Sequence, residues 1–173
     1  MHKNLRIWSA ACADGQEAYS IALLLADSFP ELRSWSIQIL ATDLSPHCIQ
    51  KAQQGIYSEF EIKRGTPPAI LDRYGRVIDS NQWCFDLPPH IQLEFSVLNL
   101  TKPFFHSAAF DLILLRNVLI YFEPQVQRAV LSKINLFMRP VSALVLGPTE
   151  SGEAVFKPHR IDDFTYYRQA SFS

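Results

Sequence analysis

The strongest constraint on the fold is one apolar run, Phe110–Leu115 (FDLILL), followed directly by RNVLIYF at 116–122. Near-continuous hydrophobicity over that length suits a strand buried on both faces, as in a parallel sheet. Where the strand stops, a guanidinium (Arg116), a carboxamide (Asn117) and a phenol (Tyr121) arrive together. Polar groups at the carboxyl ends of parallel strands lie where open α/β sheets bind their ligands. The run therefore predicts both a sheet type and a site.

The remaining elements alternate around it. Residues 5–11 predict a first strand, followed by a small polar turn at 12–16 with Gly15 as the turn residue. From Glu17, the apolar positions Ala18, Ile21, Ala22, Leu25 and Ala26 recur at helical spacing, and residues 28–30 end the helix. A second strand at 37–41 terminates in Thr42 and Asp43. Ser45 with Pro46 behind it is a good N-cap and first-turn pair for a helix through about 53, closed by Gly55. Residues 57–89 mix paired prolines and glycines with short β-like runs at 76–78 and 83–85. They predict a helical connection and then a small antiparallel excursion over approximately 75–90. Residues 91–97 alternate as a strand, 124–137 as an amphipathic helix with Val126, Val130, Leu131, Ile134 and Phe137 inward. Residues 143–146 and 164–168 predict the last strands. Strands alternating with helices argue for an α/β fold, a parallel-rich sheet with helices on both faces.

Length and composition fit one domain with a real core: 173 residues, 48% hydrophobic and 19% charged. A formal net charge of -1 without a dense Lys/Arg cluster argues against nucleic acid as a partner. Cys12, Cys48 and Cys84 lack CxxC spacing and read as reduced thiols of a cytoplasmic protein. His47, His90, His106 and His159 are scattered, so no metal site is expected. Asp14 and Glu17 interrupt the apolar stretch near the N-terminus too early for a signal peptide. No run approaches the roughly 18 apolar residues of a membrane helix, so no membrane insertion is expected.

Several positions carry chemistry with two readings each. Ala10, Ala11, Cys12, Ala13 and Gly15 let a ligand approach the backbone before a helix N-terminus, as in nucleotide-binding turns. A tightly packed strand-to-helix turn explains them equally well, since no intact GxGxxG is present. Glu17 in the first helical turn favours the helix dipole whatever else it does. Asp43 at the tip of the second strand is where a ribose diol is read, its carboxylate meeting two donors; the other reading is a helix-capping Asp. Asn99 suits a base edge or a turn. Arg116 and Tyr121 are either a surface Arg and a half-buried aromatic or, by their clustering at one strand end, site residues.

Together, SAACADGQEAYSIA (9–22), ATD (41–43), GIY (55–57), Asn99-Leu100 and RNVLIYF (116–122) resemble the CheR-type chemotaxis receptor methyltransferases. The resemblance runs from residue 5 to about 151, and its motifs keep their order and spacing. It implies a Rossmann-like S-adenosylmethionine-dependent methyltransferase sheet with a small antiparallel β-subdomain. It also implies methyl transfer to glutamate side chains in the cytoplasmic region of a chemoreceptor. Glu17 would meet the cofactor's amino group and Asp43 the ribose, with Ala11, Gly15, Asn99, Leu100, Arg116 and Asn117 also around the cofactor. Arg116 and Tyr121 would line the methyl-transfer site, and the excursion around Trp83 would help dock the receptor. A dinucleotide-dependent oxidoreductase shares the βαβ logic but leaves RNVLIYF unexplained. A non-catalytic module that binds the cofactor or docks to a receptor remains the alternative.

Two departures from the family pattern add expectations. The turn usually reads GEEPYS and here reads GQEAYS (15–20), preceded by Asp14, whose charge beside the cofactor's carboxylate predicts weaker binding. Family members also carry a helical N-terminal domain that covers the cofactor and supplies another arginine. The chain starts at the first catalytic strand, so the expectation is a catalytic domain without that lid.

Overall fold

The computed structural model describes residues 3–104 and 109–170. In chain order the elements begin with strand β1 (Asn4–Ala10), helix α1 (Gln16–Ser28), β2 (Ser36–Asp43) and α2 (Pro46–Gln54). Ser45 caps α2 by accepting the Cys48 N–H, Pro46 occupies its first turn and left-handed Gly55 closes it, as those residue types dictate. Next come β3 (Tyr57–Ser58), α3 (Glu59–Gly65), α4 (Pro68–Tyr74), β4 (Gly75–Asp79), β5 (Gln82–Phe85) and β6 (Ile91–Val97). The chain finishes with β7 (Phe110–Leu115), α5 (Pro124–Asn135), β8 (Met138–Leu146), β9 (Phe156–Ile161) and β10 (Phe164–Gln169).

Seven strands form one sheet in the order β6-β2-β1-β7-β8-β10-β9. The first five run parallel, while β10 is antiparallel to both β8 and β9. Alternation along each strand divides the core between the two faces. Ile7, Ile37, Ile39 and Ile91 pack with Ala18, Ala22 and Ala26 of α1 and Ile49 of α2 on one face. Trp8, Ile113, Leu115 and Leu144 pack with Val130, Leu131 and Ile134 of α5 on the other. The small residues of α1 allow a close approach to the sheet, which brings its N-terminus up against the end of β1. Among the described residues no helix is long and apolar enough to cross a membrane.

Three features differ from the sequence reading. The small antiparallel sheet, ordered β3-β5-β4, takes its other edge from Tyr57–Ser58, a strand too short to announce itself. Strand β8 starts at Met138 and keeps its place past Pro140 and exposed Val141 by a shift of register opposite Phe110 and Leu112. Strand β9, with its charged residues and Pro158, reads as loop in sequence but lies at the sheet edge, where proline costs no ladder bond.

Candidate functional site

The chain leaves β1 towards β2 and β6, and leaves β7 in the opposite direction towards β8. Strand order therefore reverses between β1 and β7, and the crevice above their carboxyl ends is where such sheets bind ligands. A cavity of about 300 Å³ opens there, lined by Ala11, Asp43, Leu98, Asn99, Leu100 and Tyr121 and walled by Val118 and Phe122. Another hollow, of about 410 Å³, lies over Arg6, Gln38 and Gln92, away from the strand ends that carry the chemistry.

The turn after β1 is bent by two non-glycine residues in the left-handed region, Ala11 (φ 64°) and Ala13 (φ 49°), followed by Gly15 (φ 90°). Short side chains keep this strain tolerable, at about 1–2 kcal/mol per residue. Gly15 is required twice over, because a Cβ there would sit 2.7 Å from the Ala52 Cβ of α2. Strand β2 anchors the turn, since the Cys12 N–H donates to the Thr42 carbonyl (2.9 Å) and the Ala13 N–H to Asp43 Oδ2 (2.9 Å). Asp43 Oδ1 accepts the Ser45 N–H (2.9 Å), so each carboxylate oxygen is aimed by one backbone donor and retains a lone pair for a ligand hydroxyl.

Asn99 is oriented by its own turn: Oδ1 accepts both the N–H and the hydroxyl of Thr101, at 2.9 and 2.8 Å. A ligand would therefore meet its Nδ2 donors. Leu100 is buried beside it, and Tyr121, 79% exposed, reaches the cavity from the opposite wall.

Glu17 in the first turn of α1 and Arg116 directly after β7, 99 positions apart, form an ion pair of 2.9 Å. The buried Ser9 hydroxyl donates to the other Glu17 oxygen at 2.8 Å. Arg116 also borders a second hollow, over the Leu112 and Leu114 face of β7. Asn117 occupies the left-handed region (φ 58°), with its N–H on the Glu150 carboxylate. Of the residues singled out in sequence, Ala11, Asp43, Asn99, Leu100 and Tyr121 thus share the cavity. Glu17 and Arg116 pair with each other outside its lining, while Gly15 bends the turn that carries Ala11 and Asn117 bends the chain ahead of Val118.

Asp14, the departure expected to weaken binding, is paired with Lys51, which bonds it at 2.9 Å and Glu61 of α3 at 2.7 Å. These bonds pull the Glu61 carboxyl down to about 2 and lower that of Asp14, while raising Lys51. Tyr57, kept protonated by burial, donates to the Asp14 carbonyl at 2.8 Å and holds the same turn. Carboxyls depressed in the fold contribute stability above their unfolded pKa and lose it as pH falls through the folded one. The urea midpoint is thus expected to drop as pH falls from about 4.5 towards 2, and Lys51→Met to flatten that limb. Equal acid limbs in both proteins would refute the role given to the triad. Sequence reasoning missed Lys51, because a lysine on an amphipathic helix carries no mark of its partners.

Burial, reinforced by Asp43, pushes the Cys12 thiol up to about 12. The buried thiol therefore stays neutral and offers no thiolate as a nucleophile.

The family described as CheR methyltransferase, SAM binding domain, matches residues 1–164. The chain belongs to this CheR family. Chemotaxis protein methyltransferase 1 of Pseudomonas aeruginosa is 35% identical over 153 residues, covering 86% of this chain and 56% of that protein. The chemotaxis protein methyltransferase of Escherichia coli is 31% identical over 150 residues, covering 84% and 52% respectively. The chain spans about half the length of the curated relatives it matches. Among solved structures, a TehB-like SAM-dependent methyltransferase from Corynebacterium glutamicum superposes with a TM-score of 0.54 at 13% identity, covering 95% of this chain and 78% of that one. That likeness is one of fold.

The CheR cofactor class, S-adenosylmethionine, fits what the crevice offers. Backbone bent by short residues leaves room at Ala11 and Ala13, Asp43 presents aimed acceptors, and Leu98, Leu100, Val118 and Phe122 give apolar walls for a base.

Proposed function

We propose that this CheR domain transfers the methyl group of S-adenosylmethionine to glutamate side chains in the cytoplasmic region of a chemoreceptor. The observation that carries the reading is the Glu17–Arg116 pair, formed where the chain enters α1 after β1 and where it leaves β7, which sets an ammonium acceptor and a carboxylate clamp side by side. Ala11, Gly15, Asp43, Asn99, Leu100 and Asn117 form or shape the cofactor pocket. Arg116 and Tyr121 line the transfer site. The whole chain works as one catalytic domain in the cytoplasm, with the three-stranded sheet as its receptor-facing insertion. The unpaired edge of β4, with exposed Val77 and Ile78, supports that docking role.

The chemistry asks little of acid–base groups. When bound, the cofactor supplies an electrophilic methyl on a sulfonium, so an oxygen–carbon bond forms as the carbon–sulfur bond breaks and its electron pair goes to sulfur. A glutamate, with an ordinary pKa of about 4.3, is already the anionic nucleophile at neutral pH and no proton moves. Catalysis then rests on orientation and exclusion of water. Arg116 holds the incoming carboxylate by charge-assisted hydrogen bonds, and because it stabilises the ground-state anion too, its benefit lies in geometry. Ser9 keeps Glu17 turned towards the cofactor's amino group, and Tyr121 closes the outer wall.

Calorimetric titration with S-adenosylmethionine and its demethylated product tests the pocket. Asp43→Ala, which removes the ribose acceptor and the anchor of Ala13, is expected to weaken binding by about a hundredfold, the equivalent of two good hydrogen bonds. Incubation with labelled cofactor and a receptor cytoplasmic fragment then tests transfer, expected as alkali-labile methyl on glutamates. Binding without any transfer would favour a docking module over an enzyme, and undiminished binding by Asp43→Ala would overturn the pocket.

A further inference from the structure

Glu150 follows β8 on a short connection, and its carboxylate accepts four backbone N–H groups. Oε1 takes those of Val118 (2.8 Å) and Leu119 (2.7 Å), and Oε2 those of Asn117 (2.8 Å) and Gly147 (2.7 Å). The three consecutive donors converge because Asn117 is left-handed (φ 58°) and Val118 follows at φ −126°, ψ −32°. Successive N–H groups curled in this way make a concavity that holds an anion. Here the chain supplies the anion itself, from 33 positions away. Gly147 belongs to the same construction: an added Cβ would lie 2.6 Å from Glu150 Oε2 and 3.1 Å from the Asn117 nitrogen.

The segment so held is the one that carries the chemistry. Arg116 precedes the concavity and reaches Glu17; Tyr121 follows it and reaches the cavity. A three-residue turn, Leu119–Tyr121, and the Gln127 amide on the Leu119 and Phe122 carbonyls hold the later part of the stretch, while the Asn117 end is held by Glu150. A left-handed non-glycine residue costs about 1–3 kcal/mol and persists only where its surroundings impose it. Glu150 is what imposes it.

We infer that Glu150 is a positioning residue for methyl transfer: an internal anion around which residues 116–122 fold, setting Arg116 and Tyr121 on opposite sides of the reacting centre. The inference rests on the methyltransferase reading of the site. Replacing Glu150 leaves the cofactor anchors on β1 and β2 in place and loosens only Asn117 and the Val118 wall of the pocket, so transfer should lose more than cofactor binding.

The test compares Glu150→Ala, Glu150→Gln and Gly147→Ala, the last of which keeps the carboxylate but takes its space. Exchange of the Asn117, Val118 and Leu119 amides is expected to quicken at least about tenfold in all three, the equivalent of one lost hydrogen bond. Transfer kcat is expected to fall by about 30- to 100-fold, and affinity for the demethylated cofactor, which loses only the placement of Asn117 and Val118, by about tenfold or less. Added formate, but not chloride at matched ionic strength, should restore both amide protection and kcat in Glu150→Ala, whereas Glu153→Gln should behave as the unaltered protein. Unchanged exchange in Glu150→Ala, or losses that formate does not repair and that track a lower melting temperature, would overturn the inference. If the unaltered protein transfers no methyl group, the functional reading fails, and the exchange and formate measurements still decide whether Glu150 sets the loop.

Discussion

Replacing Arg116 by alanine is expected to lower methyl transfer by about two to three orders of magnitude while cofactor affinity changes only a few-fold, the size of effect seen when one aimed donor is removed from a water-excluded site. The split follows from the geometry. Glu17 keeps its bond to Ser9 when Arg116 is gone and can still receive an ammonium group. The incoming carboxylate, by contrast, loses the planar fork that would fix its angle of attack. Arg116→Lys preserves the charge without the fork and should fall between the two. Steady-state transfer assays beside calorimetry of the demethylated cofactor separate the possibilities. If affinity falls in step with rate, Arg116 acts through its part in cofactor binding and its place at the transfer centre is wrong.

The second large effect is expected from Trp8→Ala. Trp8 is 2% exposed and packs against Phe104, Phe110 and Phe137 with ring centroids 5.4 to 6.1 Å away. Its indole N–H donates to the buried Thr42 hydroxyl at 2.9 Å. Truncation leaves a cavity and an orphaned hydroxyl, a loss of about 3–5 kcal/mol out of the roughly 5–15 that stabilise a domain. Function should suffer as well, because the Thr42 carbonyl holds the Cys12 N–H and with it the turn over the cavity. Urea denaturation measures the first effect and cofactor titration the second. A loss below about 1 kcal/mol would mean that the aromatic cluster closes over the gap.

Legibility in the sequence varied with the range of the interaction. Strands β6 and β7 are readable to the residue, because strict alternation and an uninterrupted apolar run are local patterns. Ser45, Pro46 and Gly55 mark α2 for the same reason. Strand β8 is readable only in its second half, since Arg139 and Pro140 break the pattern that the bulge then accommodates. Strand β9 becomes a strand only because β10 pairs with it along its whole length.

The site divides in the same way. Asp43 and Asn99 are recognisable as polar residues at strand ends, and RNVLIYF as a family motif with Arg116 and Tyr121 in it. Their roles as geometry are not: which side of Asn99 faces a ligand depends on Thr101, and where Arg116 points depends on Glu17. The sequence by itself determined the parallel strands, the helices α1, α2 and α5 and the residue types at the strand ends, because periodicity and capping act over a few residues. Only the tertiary structure decided that Lys51 neutralises Asp14 and that Glu150 holds residues 117–119. Those contacts join residues 31 to 37 positions apart, and a single charged side chain carries no sign of the distant N–H or carboxylate that will meet it.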